Sequence, residues 1–496
     1  MRVLVVGGGY VGMYTALRLQ RRLKTELRDG RAEITVVTPD PYMTYQPFLP
    51  EAAAGSISPR HVVVPLRRVL GHCRIIVGEV HAIDHAARVA TLSTLATEET
   101  GAAPTRLRYD ELVLAPGSVS RALPIPGLAD HGIGFKTVEE AIALRNHVIE
   151  QMDIASSTRD PALRAAALTF VFVGGGYAGV EALAELEDMA RYAARYYHNV
   201  RPEDLRWILV EASERILPEV GEELGRYAVR ELRGRNIDVR LGTRLVSCAN
   251  RVAVLDDGTR RPTRTVVWTA GVKPAPLVAA TDLPRTERGR LRCTTQLRIA
   301  GTDHAWAAGD AAAVPDLTAA RAGRVKDGSS EGEPAGEAGA RLPDCAPNAQ
   351  HAVRQARLLA DNLIAALRGA PLADYAHANA GSVASLGLHK GVAHVYGRKL
   401  KGFPAWLMHR TYHLSRVPTV NRKARVLAEW TLSGLFKREI VSLGSLEHPR
   451  AEFELAAAPP PPPKPDHPTG EGGPDNGPGD GSEGRSDGRF DDGPAN

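Results

Sequence analysis

The chain is poor in cysteine and in long apolar runs, and each scarcity excludes a class of protein. Its 496 residues contain four cysteines, none in a C-x-x-C pair or another metal-ligand spacing: Cys73, Cys248, Cys293 and Cys345. The sequence therefore predicts neither a disulfide framework nor a metal site, and it favours a reducing compartment. No stretch offers about 20 apolar residues free of charge, so no membrane-spanning helix is expected. The N-terminal residues also lack the pattern of a secretory signal.

Charge is unevenly distributed along the chain. The formal net charge is +5, but residues 456–496 hold eight acidic and three basic side chains, so the rest of the chain is more basic. That tail is rich in proline, glycine and aspartate, and residues 318–345 are rich in glycine, alanine, glutamate and arginine without apolar periodicity. Both compositions predict disorder, the one as a tail and the other as an insertion. The remaining length allows about three folded domains.

A glycine motif occurs twice, and each copy follows an apolar run typical of a strand. The copies read VLVVGGGYVG and VFVGGGYAGVE, with G-x-G-x-x-G at Gly7, Gly9 and Gly12 and at Gly174, Gly176 and Gly179. In such a motif the first glycine permits a tight turn and the second lets backbone approach a pyrophosphate. The third lets the helix pack on the strand, and the helix N-terminus holds the diphosphate. Two copies predict two dinucleotide sites in an α/β fold with two Rossmann-like domains.

The two copies differ in the acid expected at the end of the next strand. After the predicted strand 34–37, Thr38 takes that place and Asp40 follows two residues later, so either Asp40 substitutes or the ribose contact is weaker. After the predicted strand 206–210, Glu211 stands at the strand end. A carboxylate there accepts hydrogen bonds from a ribose 2′-hydroxyl and repels a 2′-phosphate. The second site is therefore predicted to prefer NADH to NADPH.

Other segments carry weaker signals. Apolar strands close on glycine turns in YDELVLAPGS and TVVWTAGVKP, and a third ends at Gly309-Asp310, where a carboxylate beside a helix N-terminus can bind polyol hydroxyls. The periodic segment after Asn348 predicts a helix. The aromatic and proline-rich residues 42–56 form either a packed surface loop or a wall around a flat ring.

The segment 398–440 is both basic and aromatic. It holds ten lysines and arginines against Glu429 and Glu439, interleaved with tryptophan, phenylalanine and leucine, and Pro418 is expected to divide it into two helices. Basic amphipathic helices of this kind lie in the plane of a membrane interface. A helix pair packed on the body of the protein is the alternative. Nucleic acid is not predicted as a partner, because no recognised nucleic-acid fold accompanies the charge.

Taken in order, these motifs resemble the two-dinucleotide flavoproteins, and specifically the type II NADH:quinone oxidoreductases. The resemblance covers nearly all of residues 1–455 apart from the insertion. It implies an FAD domain in two parts, an NADH domain between them and a C-terminal membrane-surface segment, with bounds 1–135, 136–284, 285–390 and 391–455. It also implies a peripheral enzyme on the cytoplasmic face of the cell membrane and allows a homodimer.

The resemblance assigns binding residues at both sites. FAD would be held by Gly7, Gly9, Tyr10, Gly12, Asp40, Ala115, Gly117, Gly309 and Asp310. NADH would be held by Gly174, Gly176, Tyr177, Gly179, Glu211 and Gly271. The turn at Ala115 to Gly117 would mark a crossing between the two domains.

The resemblance also implies how the reaction runs. NADH would give a hydride to FAD, and two electrons would pass to a membrane quinone, either menaquinone or ubiquinone, with no side chain as covalent catalyst. Glu181 would lie where nicotinamide and flavin meet, as the candidate for positioning or proton handling. The quinone would approach the other side of the flavin, where Gln350 would hydrogen-bond one of its carbonyls. The helix usually reads A-Q-x-A-x-Q, but Arg354 replaces the second glutamine. Gln355, which follows it, is therefore predicted as the third catalytic residue beside Glu181 and Gln350.

Two rival functions remain at this stage. A sulfide:quinone oxidoreductase or a disulfide reductase needs cysteines near the flavin, and only Cys345 is placed for that role. A membrane-docked redox sensor would bind FAD and NADH and turn over at the rate of free flavin.

Overall fold

The chain is built around two mainly parallel sheets, and the central strand of each sheet leads into one copy of the glycine turn. A computed structural model describes residues 1–318, 342–377, 381–436, 438 and 440–442. Within these ranges no helix combines the length and the apolar content needed to cross a bilayer.

The elements alternate between strands and helices in the way that βαβ units do. The strands are β1 (Arg2–Val6), β2 (Glu33–Thr38), β3 (Tyr42–Thr44), β4 (Val63–Pro65), β5 (Arg74–Asp84), β6 (Val89–Thr94), β7 (Thr105–Arg108), β8 (Glu111–Leu114), β9 (Ser118–Ser120), β10 (Gly132–Gly134), β11 (Thr169–Val173), β12 (Arg206–Val210), β13 (Ile237–Arg240), β14 (Leu245–Ser247), β15 (Val252–Leu255), β16 (Arg260–Pro262), β17 (Thr265–Trp268), β18 (Val272–Pro274), β19 (Leu291–Arg292), β20 (Ala305–Ala307), β21 (Ala312–Ala313), β22 (Gly381–Ser385), β23 (Gly391–Val395) and β24 (Arg398–Lys401). The α-helices are α1 (Tyr10–Arg22), α2 (Lys24–Arg28), α3 (Leu49–Ala53), α4 (Leu66–Val69), α5 (Leu95–Thr100), α6 (Leu128–His131), α7 (Val138–Ser157), α8 (Pro161–Ala167), α9 (Tyr177–Ala193), α10 (Glu222–Arg233), α11 (Ala349–Leu367), α12 (Phe403–Arg416) and α13 (Val420–Phe436).

The first sheet has seven strands in the order β20-β8-β1-β2-β5-β6-β7. Strands β20, β8, β1, β2 and β5 run parallel, with Val3 paired to Ile34 and to Glu111, whereas β6 and β7 are antiparallel additions. The central strand RVLVV is buried after its first residue. Such continuous apolar strands are typical of parallel sheets covered on both faces.

The second sheet has five parallel strands in the order β10-β17-β11-β12-β13. Its central strand TFVFV is fully buried and leads into the second glycine turn. Both sheets therefore place a glycine turn at the carboxyl end of a central strand, next to the position where strand order reverses. This is the place where open α/β sheets bind ligands, and the expected pair of dinucleotide-binding domains is confirmed.

A short antiparallel ribbon of β9 and β18 connects the two halves, with Ser118 paired to Pro274 and Ser120 to Val272. Each of its strands follows a glycine turn, at Gly117 (φ +73°) and at Gly271 (φ +87°). The crossing expected after Ala115 is therefore present. The residue bounds of the individual domains stay a prediction.

The structure differs from the sequence-based predictions at the end of the insertion and at the start of the basic segment. Four residues at the end of the predicted insertion are ordered: Pro315 and Asp344 form an isolated β-bridge, and the Cys345 amide donates to the Val314 carbonyl. Residues 319–341 and the predicted tail lie outside the described residues. The expected helix pair of the basic segment is present as α12 and α13 on either side of Pro418, but the segment begins with strand β24.

Candidate functional site

The first glycine turn has two glycines that no larger residue can replace and one that faces open space. Gly7 has φ +104°, and a Cβ built there would lie 2.2 Å from the Ala115 carbonyl oxygen. A Cβ on Gly12 would lie 1.8 Å from the Gly7 carbonyl oxygen, so the helix packs directly on the turn. A Cβ on Gly9 would meet nothing within 4 Å, and Gly9 caps α1 without any side-chain hydrogen bond. The turn thus offers free helix N-terminal amides to an anion.

The second glycine turn repeats this geometry. Gly174 has φ +117°, and a Cβ on Gly179 would lie 2.1 Å from the Gly174 carbonyl oxygen. A Cβ on Gly176 would meet nothing within 4 Å, and Gly176 caps α9 without a side-chain hydrogen bond. The same three roles fall on the same three positions in both copies, as the sequence predicts.

Asp310 lies beside the first turn, at the end of β20. Its Oδ2 accepts a hydrogen bond from the Ser118 hydroxyl at 2.6 Å, and the Lys136 ammonium donates to that hydroxyl at 2.5 Å. Burial lowers the pKa of Lys136, and the carboxylates of Asp310 and Glu140 oppose that shift. Ser118 and Lys136 were not predicted, because they come from two segments far from Asp310 in sequence.

Gln355 supports the turn at Gly309. Its Oε1 accepts a hydrogen bond from the Gly309 amide at 2.8 Å, and the side chain is 2% exposed. Gly309 has φ +72°, and a Cβ built there would lie 2.7 Å from a Val11 methyl group. The glutamine that follows Arg354 therefore holds the Asp310 turn against α1, a role that the helix motif did not predict.

The two candidate ribose acids differ in their surroundings. Glu211 Oε2 accepts from the Gly175 amide at 2.5 Å, and its Oε1 accepts from the Ser213 amide and hydroxyl, each at 2.7 Å. Asp40 is exposed, and its pKa is raised by partial burial and by the Glu139 carboxylate. Glu211 is thus attached to its glycine turn, whereas at the first site the buried Thr38 packs beneath Gly8.

Glu181 is buried at the meeting of α9 with the C-terminal elements. Its Oε1 accepts from the Ser385 amide at 2.8 Å and lies 3.1 Å from Nε2 of His409. One turn further along α9, Glu185 accepts from the Ser385 hydroxyl and pairs with Arg438. His409 was missed as a site residue, although its spacing of four from His413 on a predicted helix was a usable signal.

Gln350 lies in the first turn of α11, after the Asn348 cap. Its Nε2 donates to the Gly381 carbonyl at 2.8 Å, and its Oε1 is buried without a hydrogen-bond partner among the described residues. Arg354 donates to the Gln350 carbonyl, so it turns back along its own helix. Gln350 and Glu181 are both anchored to the β22 strand, at Gly381 and Ser385.

The aromatic segment 42–56 is not a surface loop, because much of it lies in the core. Phe48 is fully buried, and its ring lies edge-on to Trp430 with 5.6 Å between centroids. The Tyr45 ring lies 6.2 Å from that of Tyr10 at the first glycine turn. The segment joins the first glycine turn to the C-terminal helices, and its interpretation as a wall around a flat ring stays a prediction.

The four cysteines form no disulfide in the structure. All four are free thiols. Burial raises the pKa of Cys345 and of Cys73 to about 12, and burial also raises the pKa of Cys248 and Cys293. Because the thiolate is the reactive form, these thiols are poor nucleophiles.

Comparisons with known proteins agree with this geometry. The family model described as pyridine nucleotide-disulphide oxidoreductase matches residues 1–352. The type II NADH:quinone oxidoreductase of Staphylococcus aureus is 30% identical over 416 residues, covering 82% of this chain and 93% of that protein. The protein of the same name from Mycobacterium tuberculosis is 28% identical over 454 residues, covering 88% and 89%.

Solved structures share the fold. NDH2 from Plasmodium falciparum in complex with NADH matches with a TM-score of 0.77 at 16% identity, covering 89% of this chain and 99% of that one. The sulfide:quinone oxidoreductase of Aquifex aeolicus matches with a TM-score of 0.63 at 16% identity, covering 88% and 96%. At such identities the likeness establishes fold alone, and the choice between branches rests on the closer sequence relatives. By the extent of the sequence matches, the chain belongs to the pyridine nucleotide-disulphide oxidoreductase family and, within it, to the type II NADH:quinone oxidoreductases.

Proposed function

We propose that this protein oxidises NADH bound at the second glycine turn and reduces a membrane quinone. FAD, bound at the first turn, carries the electrons from NADH to the quinone. The observation that carries the proposal is the duplicated turn, in which Gly9 and Gly176 face open space while Gly12 and Gly179 are blocked by backbone. A glycine facing space at an uncapped helix N-terminus is where a pyrophosphate fits closely.

The residues around the first turn fit FAD. Gly7, Gly9 and Gly12 form the pyrophosphate cradle, and Asp310 offers a carboxylate oxygen to polyol hydroxyls while Ser118 fixes its other side. Ala115 and Gly117 border the turn, and Tyr10 and Asp40 stand at its edges. When bound, FAD supplies two-electron chemistry, accepting a hydride and returning two electrons. The protein supplies orientation and the electrostatic surroundings.

The second turn binds the nicotinamide nucleotide. Gly174, Gly176 and Gly179 form the cradle, with Tyr177 at the start of α9 and Gly271 at the neighbouring strand end. Glu211 places its carboxylate at the strand end where a ribose acid is expected. Its two oxygens accept hydrogen bonds from the amides of Gly175 and Ser213. That charge favours a ribose hydroxyl and disfavours a 2′-phosphate, so NADH is the preferred donor.

The quinone approaches on the side of β22. Glu181 and Gln350 are both anchored to that strand, and the Gln350 Oε1 is buried without a partner among the described residues. Because Nε2 of Gln350 is held by the Gly381 carbonyl, its amide group is fixed in orientation and its free Oε1 is available to a polar group of the ring. Gln350 orients the quinone carbonyl, Glu181 handles its proton, and Gln355 holds the Asp310 turn.

The C-terminal helices form the membrane surface in this proposal. Exposed apolar side chains with 46–81% of their surface accessible are Phe403, Leu407, Val420, Leu427, Leu432, Leu435, Phe436 and Val441. Four of the basic side chains form ion pairs with acids of the preceding domains: Lys399 and Lys401 with Glu223, Arg410 with Glu51 and Arg438 with Glu185. Arg416 and Arg425 remain exposed beside the apolar side chains. This suits peripheral attachment to anionic lipid on the cytoplasmic face.

Vesicle binding tests the membrane surface. The double variant Leu432→Ser/Leu435→Ser removes two exposed leucines, and because burying a leucine contributes about 1.5–3 kcal/mol, partition onto anionic vesicles should fall by about tenfold or more. Leu95→Ser is the matched control, since Leu95 is 64% exposed on α5. Equal loss in both variants would contradict the assignment of this surface.

The enzymatic proposal is tested on the purified protein. The visible spectrum should show bound flavin, NADH should be a better donor than NADPH, and a quinone a better acceptor than oxygen. A colourless protein that cannot be reconstituted with FAD would end the proposal. A rate with quinone no higher than that of free flavin would leave only the redox sensor, and a requirement for sulfide would favour the sulfide:quinone branch.

A further inference from the structure

Three arginines follow one another outward from Gln350, two on helix α11 and one at the end of α12. Gln350, Arg354 and Arg357 are spaced by four and three residues, so their side chains leave α11 on one face. Burial raises the pKa of Tyr14, and the charges of Arg357 and Arg416 both oppose that shift, so two cations reach this ring from different helices. We call Arg354, Arg357 and Arg416 the arginine row.

The row becomes more exposed with distance from Gln350. The Oε1 of Gln350 is buried and has no hydrogen-bond partner among the described residues. Arg354 is half-buried, and its Nη1 donates to the Gln350 carbonyl at 3.1 Å. Arg357 and Arg416 are exposed, and each lies over a tyrosine ring, with 5.7 Å and 5.3 Å from guanidinium carbon to ring centroid. The row therefore leads from the position proposed for the quinone to the surface.

The three cations of the row form no ion pair with a carboxylate of the described residues. Asp361, one turn beyond Arg357 on the same helix, pairs with Arg18 and Arg22 of α1 instead. The positive charge of the row is therefore left to a ligand or to solvent. A guanidinium group binds a carboxylate or a phosphate through two parallel hydrogen bonds, so the row suits a ligand that carries such a group.

The titratable neighbours of Arg354 leave the inner end of the row positive. Burial lowers the pKa of His377 to about 4, and the charges of Arg354 and His351 add to this shift while Asp316 opposes it. Burial also lowers the pKa of His351, with Asp316 opposing the shift and Arg354 adding to it. Both histidines are therefore uncharged at neutral pH, and Asp316 is the acid whose charge acts on them together with Arg354.

We propose that the arginine row selects a quinone that carries an acidic substituent, such as a ring carboxylate, beside the carbonyl that Gln350 orients. The carboxylate pairs with Arg354, and Arg357 and Arg416 attract it at the entrance. A neutral glutamine at position 354 would give no such preference. This inference rests on the proposed function and specifies the class of its acceptor.

The electron balance is that of any quinone. NADH gives up a hydride, which supplies two electrons and one proton, and water supplies the second proton of the quinol. NAD⁺ and the quinol are the products, and the acidic substituent leaves the cycle unchanged. The arginines neither gain nor lose a proton, because the guanidinium group stays charged in proteins.

A matched pair of soluble acceptors tests the inference in the FAD-loaded enzyme. The pair is 1,4-naphthoquinone-2-carboxylate and its methyl ester, which share one ring system and differ in charge. Arg354→Gln should lower the carboxylate-to-ester ratio of kcat/KM by about tenfold, an effect between those of a charge pair in bulk water and near a protein surface. Arg354→Lys should keep most of the ratio because it keeps the charge. Arg368→Gln is the matched control, since Arg368 follows the last turn of α11, about 20 Å along the helix from Arg354.

Ionic strength and equilibrium binding give two further readouts. Because Arg357 and Arg416 are exposed, salt should lower the wild-type ratio as the Debye length falls from about 30 Å at 0.01 M to about 3 Å at 1 M. Arg357→Gln/Arg416→Gln should show a lower ratio at low salt and a weaker dependence on salt. Equilibrium dialysis of the oxidised enzyme without NADH measures the affinity for the carboxylate in the absence of turnover, and Arg354→Gln should weaken it by about the same factor of ten.

Three outcomes would contradict these expectations. A carboxylate-to-ester ratio that is the same in Arg354→Gln and in the wild type overturns the inference. A loss of binding to anionic vesicles in Arg357→Gln/Arg416→Gln without any change in the ratio also overturns it, because the row would then bind lipid headgroups. A wild-type enzyme whose flavin is reduced by NADH but which reduces neither acceptor of the pair refutes the proposed function instead.

Discussion

Replacing Gly176 by alanine should weaken NADH binding without disturbing the fold. Gly176 has φ −74° and ψ −178°, a conformation open to any residue, and a Cβ there meets no protein atom within 4 Å. The folded protein should therefore keep its thermal midpoint or gain slightly, because alanine restricts the unfolded chain by about 0.4–1 kcal/mol relative to glycine. The added methyl group would occupy the space that the pyrophosphate needs.

The size of the effect follows from the hydrogen bonds at stake. A hydrogen bond to a charged group contributes about 1.5–3 kcal/mol, so losing one between a turn amide and a phosphate oxygen should raise the KM for NADH by about 10- to 150-fold. Steady-state kinetics at saturating quinone measures this change, and thermal unfolding verifies the fold.

Two further variants serve as controls for Gly176→Ala. Gly71→Ala is the matched control, since Gly71 is exposed and a Cβ there also meets nothing within 4 Å. Gly179→Ala should instead lower the thermal midpoint, because its Cβ would lie 2.1 Å from the Gly174 carbonyl oxygen. If Gly176→Ala folds normally and leaves the KM for NADH within twofold of the wild type, the second turn does not bind the pyrophosphate and the reasoning fails.

Three other perturbations have defined outcomes. Glu211→Gln should raise the NADPH-to-NADH ratio of kcat/KM by about tenfold because the charge that repels a 2′-phosphate is lost, whereas Glu203→Gln, at the opposite end of β12, should leave it unchanged. Arg410→Met should cost about 3–5 kcal/mol in urea unfolding because it leaves the buried Glu51 carboxylate without its cation, and adding Glu51→Gln should recover much of the loss. Cys345→Ser should retain NADH oxidation, since a thiol with its pKa raised to about 12 is inert at neutral pH, and complete loss would favour the disulfide or sulfide branch.

Both glycine turns could be predicted because their chemistry is local. Each motif specifies its strand, its turn and its helix start within a dozen residues, and the blocked third glycines at Gly12 and Gly179 show why. Glu211 was equally predictable, since its position at a strand end follows from the same repeat. These features depend on backbone geometry, which short stretches of sequence encode well.

The surroundings of Glu181 could not be predicted, because they depend on tertiary contacts. Ser385 and His409 reach it from segments more than two hundred residues away. The sequence does not show whether the Gln355 side chain contacts a ligand or the protein backbone. Only the packing of α11 on α1 shows that it faces Gly309. Composition identified the segment 42–56 as aromatic, but its burial follows from the C-terminal helices that cover it.

The way those C-terminal helices are held limits how the enzyme can be shortened. Arg410 lies 4.3 Å from the Trp406 ring centroid and 4.7 Å from that of Trp430, and the Trp430 indole donates to Glu51 at 2.6 Å. Cutting the chain before α12 to obtain a detergent-free protein would remove the basic partners of three interior acids: Arg410 from Glu51, His409 from Glu181 and Arg438 from Glu185. Replacing the exposed leucines of α13 is a better way to improve solubility, because it leaves the contacts of Arg410 and Trp430 with the body of the protein intact.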